Sequence, residues 1–433
     1  MKKKIIFAIP ILVITLLCSA CGLGSSSGDV QLAGTKTPSG EKTKGAVYVY
    51  LCGSDLESDG GSATTDLSEM LAANLGNDVK VVVETGGAKS WNNAVMPADR
   101  LGRYEISQDG LYHVGEEPQA NMGDGGTLQS FLTFCKTNYP ADHTALIFWN
   151  HGGGSASGVC FDENYNYDSL GLGEMDQALA NGWGDSPKLD LIGADACLMA
   201  TLDNASISQK YAHYLVASEE LEPGTGWEYS AWLTALGNNP EMAAPDVGKA
   251  ICDAYQSGSN NDEVGDEITL SVVDLSKVAP LVAAVDNMGQ EVLTSAVQNT
   301  KVIGQFGRSA KASENYGGNN DEDGYANMVD LGDLMKNANP LIGTADDQVV
   351  SALKDAVIYK VNGPYRSQAS GLSAYYSYNG DRDELAAYAA VGASSNYTKY
   401  LEYSLGADVS EEVRASTGVD DIQTVQGFNQ DLP

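Results

Sequence analysis

The chain has 433 residues, 43% hydrophobic and 19% charged, which supplies apolar material for one large domain or two to three smaller ones. Its 25 Lys and Arg stand against 58 Asp and Glu, a formal net charge of -33. Such a surface repels nucleic acid and anionic lipid, so neither is expected as a partner of the folded part, and it attracts cations and basic peptides. The plainer reading of the same charge is solubility of an exported protein.

Lys2, Lys3 and Lys4 open the chain, Ile5 to Leu17 follow as an apolar run, and Cys18-Ser-Ala-Cys21 closes the segment. The small residues before Cys21 suit a signal-peptidase site. Residues 1–20 resemble a bacterial lipoprotein signal, which implies lipidation at Cys21 and an extracytoplasmic protein anchored to the outer face of the cell membrane. Cys18 departs from the aliphatic residue preferred there, and an ordinary secretory signal cut nearby is the alternative. The apolar run is too short to span a bilayer, and no other stretch is long and apolar enough. Without Cys18 and Cys21 the cysteines are Cys52, Cys135, Cys160, Cys197 and Cys252. This odd, scattered set is not a disulfide framework and has no metal-spaced pair; most of it reads as small buried hydrophobes.

Residues 21–44 are rich in Gly, Ser, Thr and Lys and read as a flexible tether. The first strand is Ala46 to Cys52, ending in Gly53-Ser54-Asp55. Leu67, Met70, Leu71 and Leu75 fall at helical spacing, and Val79 to Glu84 is a compact β-branched run expected as a buried strand. Trp91 to Ile106 reads as an antiparallel excursion, and Thr127 to Tyr139 as an amphipathic helix closed by Pro140. Thr144 to Trp149 then runs into Asn150-His151-Gly152-Gly153-Gly154. After a turn-rich loop and a helix around Leu172 to Leu179, Leu189 to Ala194 runs into Asp195-Ala196-Cys197. Tyr214 to Ala217, Ile268 to Val273 and Gly371 to Tyr376 are further strands. This alternation predicts a parallel α/β sheet.

In such sheets ligands bind beyond the carboxyl ends of the strands. His151 and Cys197 both sit just past such an end, and adjacent strands are only about 4.8 Å apart, so the two side chains can meet. A thiol needs a neighbouring imidazole or an electropositive setting to become an effective nucleophile. The glycines after His151 free the backbone, so that N–H groups of Gly152 or Gly153, with that of Cys197, can face a developing oxyanion. Taken singly, a cysteine at a strand end is more often packing than chemistry, and a lone histidine is usually structural. The combination is more telling. The chain has only four histidines, His113, His143, His151 and His213, and one of them occupies a triple-glycine turn matched by a cysteine on a later strand.

Trp149-Asn-His-Gly-Gly-Gly154 and Asp195-Ala-Cys-Leu-Met199 resemble the histidine and cysteine motifs of clostripain-like cysteine peptidases. Tyr50 to Glu57, Gly123 to Leu128 with Tyr139 to Ala141, and Ser218 to Trp227 are similar to further segments of that family, so the resemblance covers about residues 46–235 and continues weakly beyond. It implies a caspase-like three-layer α/β sandwich with a mostly parallel central sheet over residues 45–265, and a smaller C-terminal α/β portion, 266–433, packed on it. It also implies hydrolysis of peptide bonds in peptide or protein substrates by a Cys197–His151 dyad without a third catalytic residue. Cleavage is expected after Arg or Lys, with Asp195 lining the pocket. Thr225 stands where some strongly basic-specific relatives carry an acid, and Glu219, Glu220 and Glu222 are nearby acids that would compensate. Relatives are often activated by calcium and by internal cleavage. No cofactor is needed for the chemistry; for calcium, Asp162, Asn164, Asn166 and Asp168 alternate as in a calcium loop, although Tyr167 replaces the expected glycine and Glu174 comes one position late. Between His151 and Cys197 the only basic residue is Lys188, the one candidate for self-cleavage there. The rival readings are an inactive peptide- or protein-binding lipoprotein on the same fold, and a transporter-associated solute-binding lipoprotein, which leaves the paired motifs unexplained.

Overall fold

A computed structural model describes residues 30–184, 186–342 and 345–407; the signal segment with Cys18 and Cys21 lies outside them. The continuous apolar runs lie side by side in one ten-stranded sheet. Its strands, in chain order, are β1 (Leu32–Thr35), β2 (Thr43–Cys52), β3 (Val79–Gly86), β4 (Arg100–Ser107), β5 (Gly110–Pro118), β6 (Ala141–Trp149), β7 (Leu189–Asp195), β8 (Ala212–Ala217), β9 (Thr269–Asp274) and β10 (Val357–Asn362). Their spatial order is β1-β5-β4-β3-β2-β6-β7-β8-β9-β10. The five central strands, β3-β2-β6-β7-β8, are parallel, and antiparallel strands flank them on both sides.

Both faces of the parallel strands are covered, which is why those strands are apolar without alternation. Tyr48, Tyr50, Leu146, Phe148 and Ile192 point into one core, shared with helices Gly125–Asn138, Leu172–Gly182 and Val278–Gln298. Val47, Val49, Leu51, Ile147 and Leu191 point into the other, under helices Ser62–Ala72, Tyr229–Asn238 and Ala244–Asn261. The result is the expected three-layer sandwich. Each such side chain, fully buried, stabilises the fold by about 1.5–3 kcal/mol. Local signals set the helix starts: the carboxylate of Asp124 accepts from the Gly126 N–H, and Thr201 and Glu228 cap their helices in the same way.

Two organisational expectations are corrected. The tether was expected to run through residue 44, yet Leu32–Thr35 pairs in parallel with β5, and Lys36 bonds Glu105 and stacks on Tyr112. An open sheet edge and a cation–π contact hold a segment whose composition alone reads as mobile. Residue 265 is likewise no structural boundary: β9 and β10 extend the same sheet, and the helix Val278–Gln298 joins its first core. β10 escaped prediction because Val357–Asn362 is an edge strand, half exposed and interrupted by Lys360. The remaining C-terminal strands, Asn315–Tyr316, Met328–Asp330 and Ser373–Tyr375, form a small separate sheet.

Candidate active site

β6 and β7 bring the two motifs together. Trp149 is paired with Asp195 at the last rung, and the Asn150 N–H donates to the Asp195 carbonyl at 3.3 Å. His151 and Cys197 therefore each lie two residues beyond the same rung. The loops they begin are in contact: a Cβ on Gly152 would stand 1.9 Å from the Cys197 carbonyl oxygen, so only glycine fits. Asn150, buried, fixes the turn by donating to the Cys52 carbonyl at 2.7 Å and accepting from the Phe161 N–H at 2.6 Å.

His151 has an acidic partner where the resemblance implied a dyad with no third residue. Its Nε2 lies 2.8 Å from Oδ1 of Asp55, which sits at the carboxyl end of β2 in the short helix Ser54–Ser58. The Ser54 hydroxyl donates to the same oxygen at 3.1 Å. Burial pushes the Asp55 carboxyl up, but the His151 bond and charge outweigh it and hold the group below the usual carboxylate range. Asp55 belongs to the Tyr50–Glu57 segment already noted. Its place beyond an adjacent parallel strand, level with the histidine turn, was the available signal.

Cys197 is half-exposed. The Glu222 N–H donates to its sulfur at 3.2 Å, and the sulfur faces the Glu222 carbonyl at 4.0 Å. Burial, with the charges of Glu222 and Glu220, pushes the thiol up to about 12, only partly offset by the Glu222 N–H. The next residue, Leu198, has φ 63°, a left-handed conformation held by its N–H bonding the Glu220 carbonyl. The segment over the thiol is pinned by buried acids. Glu219 accepts from the Gly371 N–H at 2.9 Å, and Glu220 pairs with Arg366 at 2.5 Å and accepts from the Gly317 N–H at 2.8 Å.

Asp195 is 5% exposed and accepts from the Tyr229 hydroxyl at 2.8 Å and the Trp227 N–H at 3.5 Å. Burial raises it to about 6. Asp66 is buried beside it, bonded by the Trp149 indole N–H at 2.6 Å. Thr225, expected in the pocket, is instead exposed, in the turn closed by the Gly226 N–H to the Pro223 carbonyl. The acid that reaches Asp195 is Glu222, whose carboxyl hydrogen-bonds it.

Three other expectations change. The Gly153 N–H is committed to the Gly158 carbonyl at 2.8 Å, which removes it as an oxyanion donor and leaves Gly152. The alternating loop is a hairpin, Val159–Asp162 against Asp168–Leu170, and does not fit a cation. Both oxygens of Asp162 accept backbone N–H groups, from Met122 and Asn164, and Asp168 accepts from Asn121. Asn166 and Tyr167 make a left-handed turn that presents the Tyr167 hydroxyl to Asp55. Among the described residues no cluster of three or more His, Cys, Asp or Glu is arranged to hold a metal. Lys188 is exposed and precedes β7, so the strand's length, roughly 20 Å, separates it from the cysteine end.

Comparison with known proteins agrees with this architecture. The model of the clostripain family of peptidases matches residues 49–408, most of the chain. The chain belongs to the clostripain family. Clostripain of Hathewaya histolytica is 29% identical over 238 residues, 43% of this chain; the match spans only 41% of that relative's length. A secreted C11 cysteine protease from Bacteroides thetaiotaomicron, solved with an irreversible peptide inhibitor, superposes with a TM-score of 0.61 at 20% identity, covering 82% of this chain and 98% of its own. An inactive zymogen of a C11 protease from Parabacteroides distasonis gives 0.61 at 17% identity, covering 83% and 99%. At these identities the superpositions establish the caspase-like fold.

Proposed function

We propose that this protein is a cysteine endopeptidase that cuts after Arg or Lys, anchored outside the cytoplasm through Cys21. The observation that carries the proposal is the shared rung: His151 and Cys197 stand two residues beyond paired Trp149 and Asp195, with Gly152 against the Cys197 carbonyl. Asp55 takes the Nε2–H of His151, which leaves Nδ1 to exchange protons. Cys197 Sγ, giving up its proton to His151, attacks the scissile carbonyl. The N–H groups of Gly152 and Cys197 hold the oxyanion. The tetrahedral adduct collapses by breaking the C–N bond, and His151 returns the proton to the departing amine. Water, deprotonated by the same imidazole, then cleaves the thioester. No step needs a metal or cofactor.

The carboxylate of Asp195 would receive the guanidinium or ammonium group of the residue before the scissile bond. The Glu222 N–H is bonded to the half-exposed sulfur, a contact the thiol gives up when it attacks the substrate. If Lys188 is cut, the enzyme that cuts it is a second copy, because the strand holds Lys188 away from its own Cys197. A peptide probe ending in Arg and bearing a thiol-reactive group tests the assignment. Mass mapping should place one adduct on Cys197. An adduct on Cys52, Cys135, Cys160 or Cys252, or none on the folded chain, would oppose it and favour an inactive binding protein.

A further inference from the structure

Asp195 is not alone at its site: a second buried carboxyl, Glu222, meets it. Glu222 points its carboxyl to Asp195, and its Oε1 accepts from the Trp227 indole N–H at 3.4 Å. The Ala196 backbone also serves this carboxyl, while its buried Oε2 makes no N–H or hydroxyl hydrogen bond of its own. The backbone N–H of the same Trp227 serves Asp195, so one residue ties both carboxyls together. Gly226, at φ 58°, closes the turn over them: a Cβ there would lie 3.1 Å from Asp195 Oδ1 and 3.5 Å from Asp66 Oδ2. The titratable groups around the pair are Asp66 and Glu69 from the helix Ser62–Ala72, Cys197 and Glu220 from the adjoining loops, Tyr229, and Cys252 and Tyr255 from the helix Ala244–Asn261. None of them is a cation.

Resting on the Arg/Lys reading above, we propose that Glu222 is the second carboxylate of the specificity pocket, supplying the charge absent at Thr225, and that a basic substrate side chain takes the place of the proton it shares with Asp195. The exchange balances. At rest two carboxyls hold one proton and carry one net negative charge. When an ammonium or guanidinium enters, the proton leaves to solvent, and two carboxylates with one cation again carry one net negative charge. Oε2, which has no N–H donor at rest, then receives one from the cation. Glu222 is suited to this exchange by its place in the chain. Ser218 to Glu220 are anchored, with Glu219 bonded by Gly371 and Glu220 paired with Arg366, whereas Gly224 and Thr225 are exposed. Glu222 stands where the anchored stretch meets the exposed turn. Because its own N–H bonds the half-exposed Cys197 sulfur, a side chain that draws on Glu222 would also loosen that hold on the nucleophile.

The test compares Glu222→Gln with Asp195→Asn and the unaltered full chain on peptides ending in Arg, Lys or Ala. Glu222→Gln should lower kcat/KM for Arg and Lys by roughly 10- to 100-fold and leave the Ala peptide within about 3-fold, as Asp195→Asn should. Glu222→Asp keeps the charge and should retain more Arg/Ala preference than Glu222→Gln. Melting temperatures within a few degrees of the unaltered chain, expected for near-isosteric changes, show that folding is not what is measured. An unchanged Arg/Ala ratio in Glu222→Gln, equal ratios in the Gln and Asp variants, or an equal rise on every substrate, which marks a mere plug, would overturn the assignment. An unaltered chain that cuts peptides but not after Arg or Lys would instead sink the specificity reading beneath it, and the inference with it.

Discussion

Asp55 gives His151 a fixed ring orientation and a fixed proton, two things a free imidazole between a thiol and a leaving amine lacks. The bond also places a carboxylate where positive charge grows when Nδ1 takes the thiol proton. Its effect is therefore expected on the chemical step rather than on substrate binding. Asp55→Asn should lower kcat by about 10- to 100-fold while KM stays within about 3-fold; steady-state kinetics on one Arg peptide separates the two. A change confined to KM would remove Asp55 from this role. That Cys197 and His151 lie side by side at adjacent strand ends was legible in the sequence, because each follows an apolar strand. Asp55 was not, because nothing local tells an acid that orients an imidazole from one that caps a helix. Thr225 was misplaced for a related reason: motif spacing counts residues along the chain, but the turn from Pro223 to Gly226 directs Glu222 inward and leaves Thr225 in solvent.

Among the elements, the flanking hairpin of β4 and β5 shares a buried charge cluster with the edge of the parallel strands, β3. Arg103 on β4 pairs with Glu84 on β3 at 2.5 Å, with Glu117 at 3.2 Å, and lies over the Phe134 ring. Burial raises Glu84 to about 7 although Arg103 pulls the other way. A carboxyl whose folded pKa lies above its unfolded value adds stability below about pH 4.5, and that contribution is lost as pH rises toward 7. Arg103→Met removes the opposing charge, so the loss should be larger and extend to higher pH. Denaturant melts should show a cost of about 3–5 kcal/mol at neutral pH and a smaller one at pH 5. A pH-independent cost would assign the effect to packing alone. The central strands were readable because burial on both faces makes them uniformly apolar. Edge strands β1 and β10 were not, since their residues are half exposed and what holds them is a neighbouring backbone rather than a pattern of their own.

At the level of the whole molecule, the C-terminal third completes the sheet and grips the active-site segment. β9 continues the sheet from β8, Gly371 holds Glu219, and Arg366 joins Glu220, Glu267 and Glu314. The sequence suggested a division near residue 265 because the family motifs end before it, but motif density follows chemistry while cooperativity follows burial. A chain ending at 265 would expose the β8 edge and leave the first core without the helix Val278–Gln298. It should show no cooperative melt, whereas the full chain should show one; a folded, sharply melting truncation would contradict the single-sheet description.

The most direct measurement is hydrolysis of fluorogenic peptides ending in Arg, Lys, Ala or Asp by the purified chain, with and without calcium, beside Cys197→Ala and His151→Ala. The predicted result is turnover after Arg and Lys that both variants lose and that calcium is not needed to start, given that the Asp162–Asp168 hairpin already spends its carboxylates on the protein's own N–H groups. Turnover that survives Cys197→Ala, or a folded chain inert toward every peptide in either condition, would contradict the peptidase assignment.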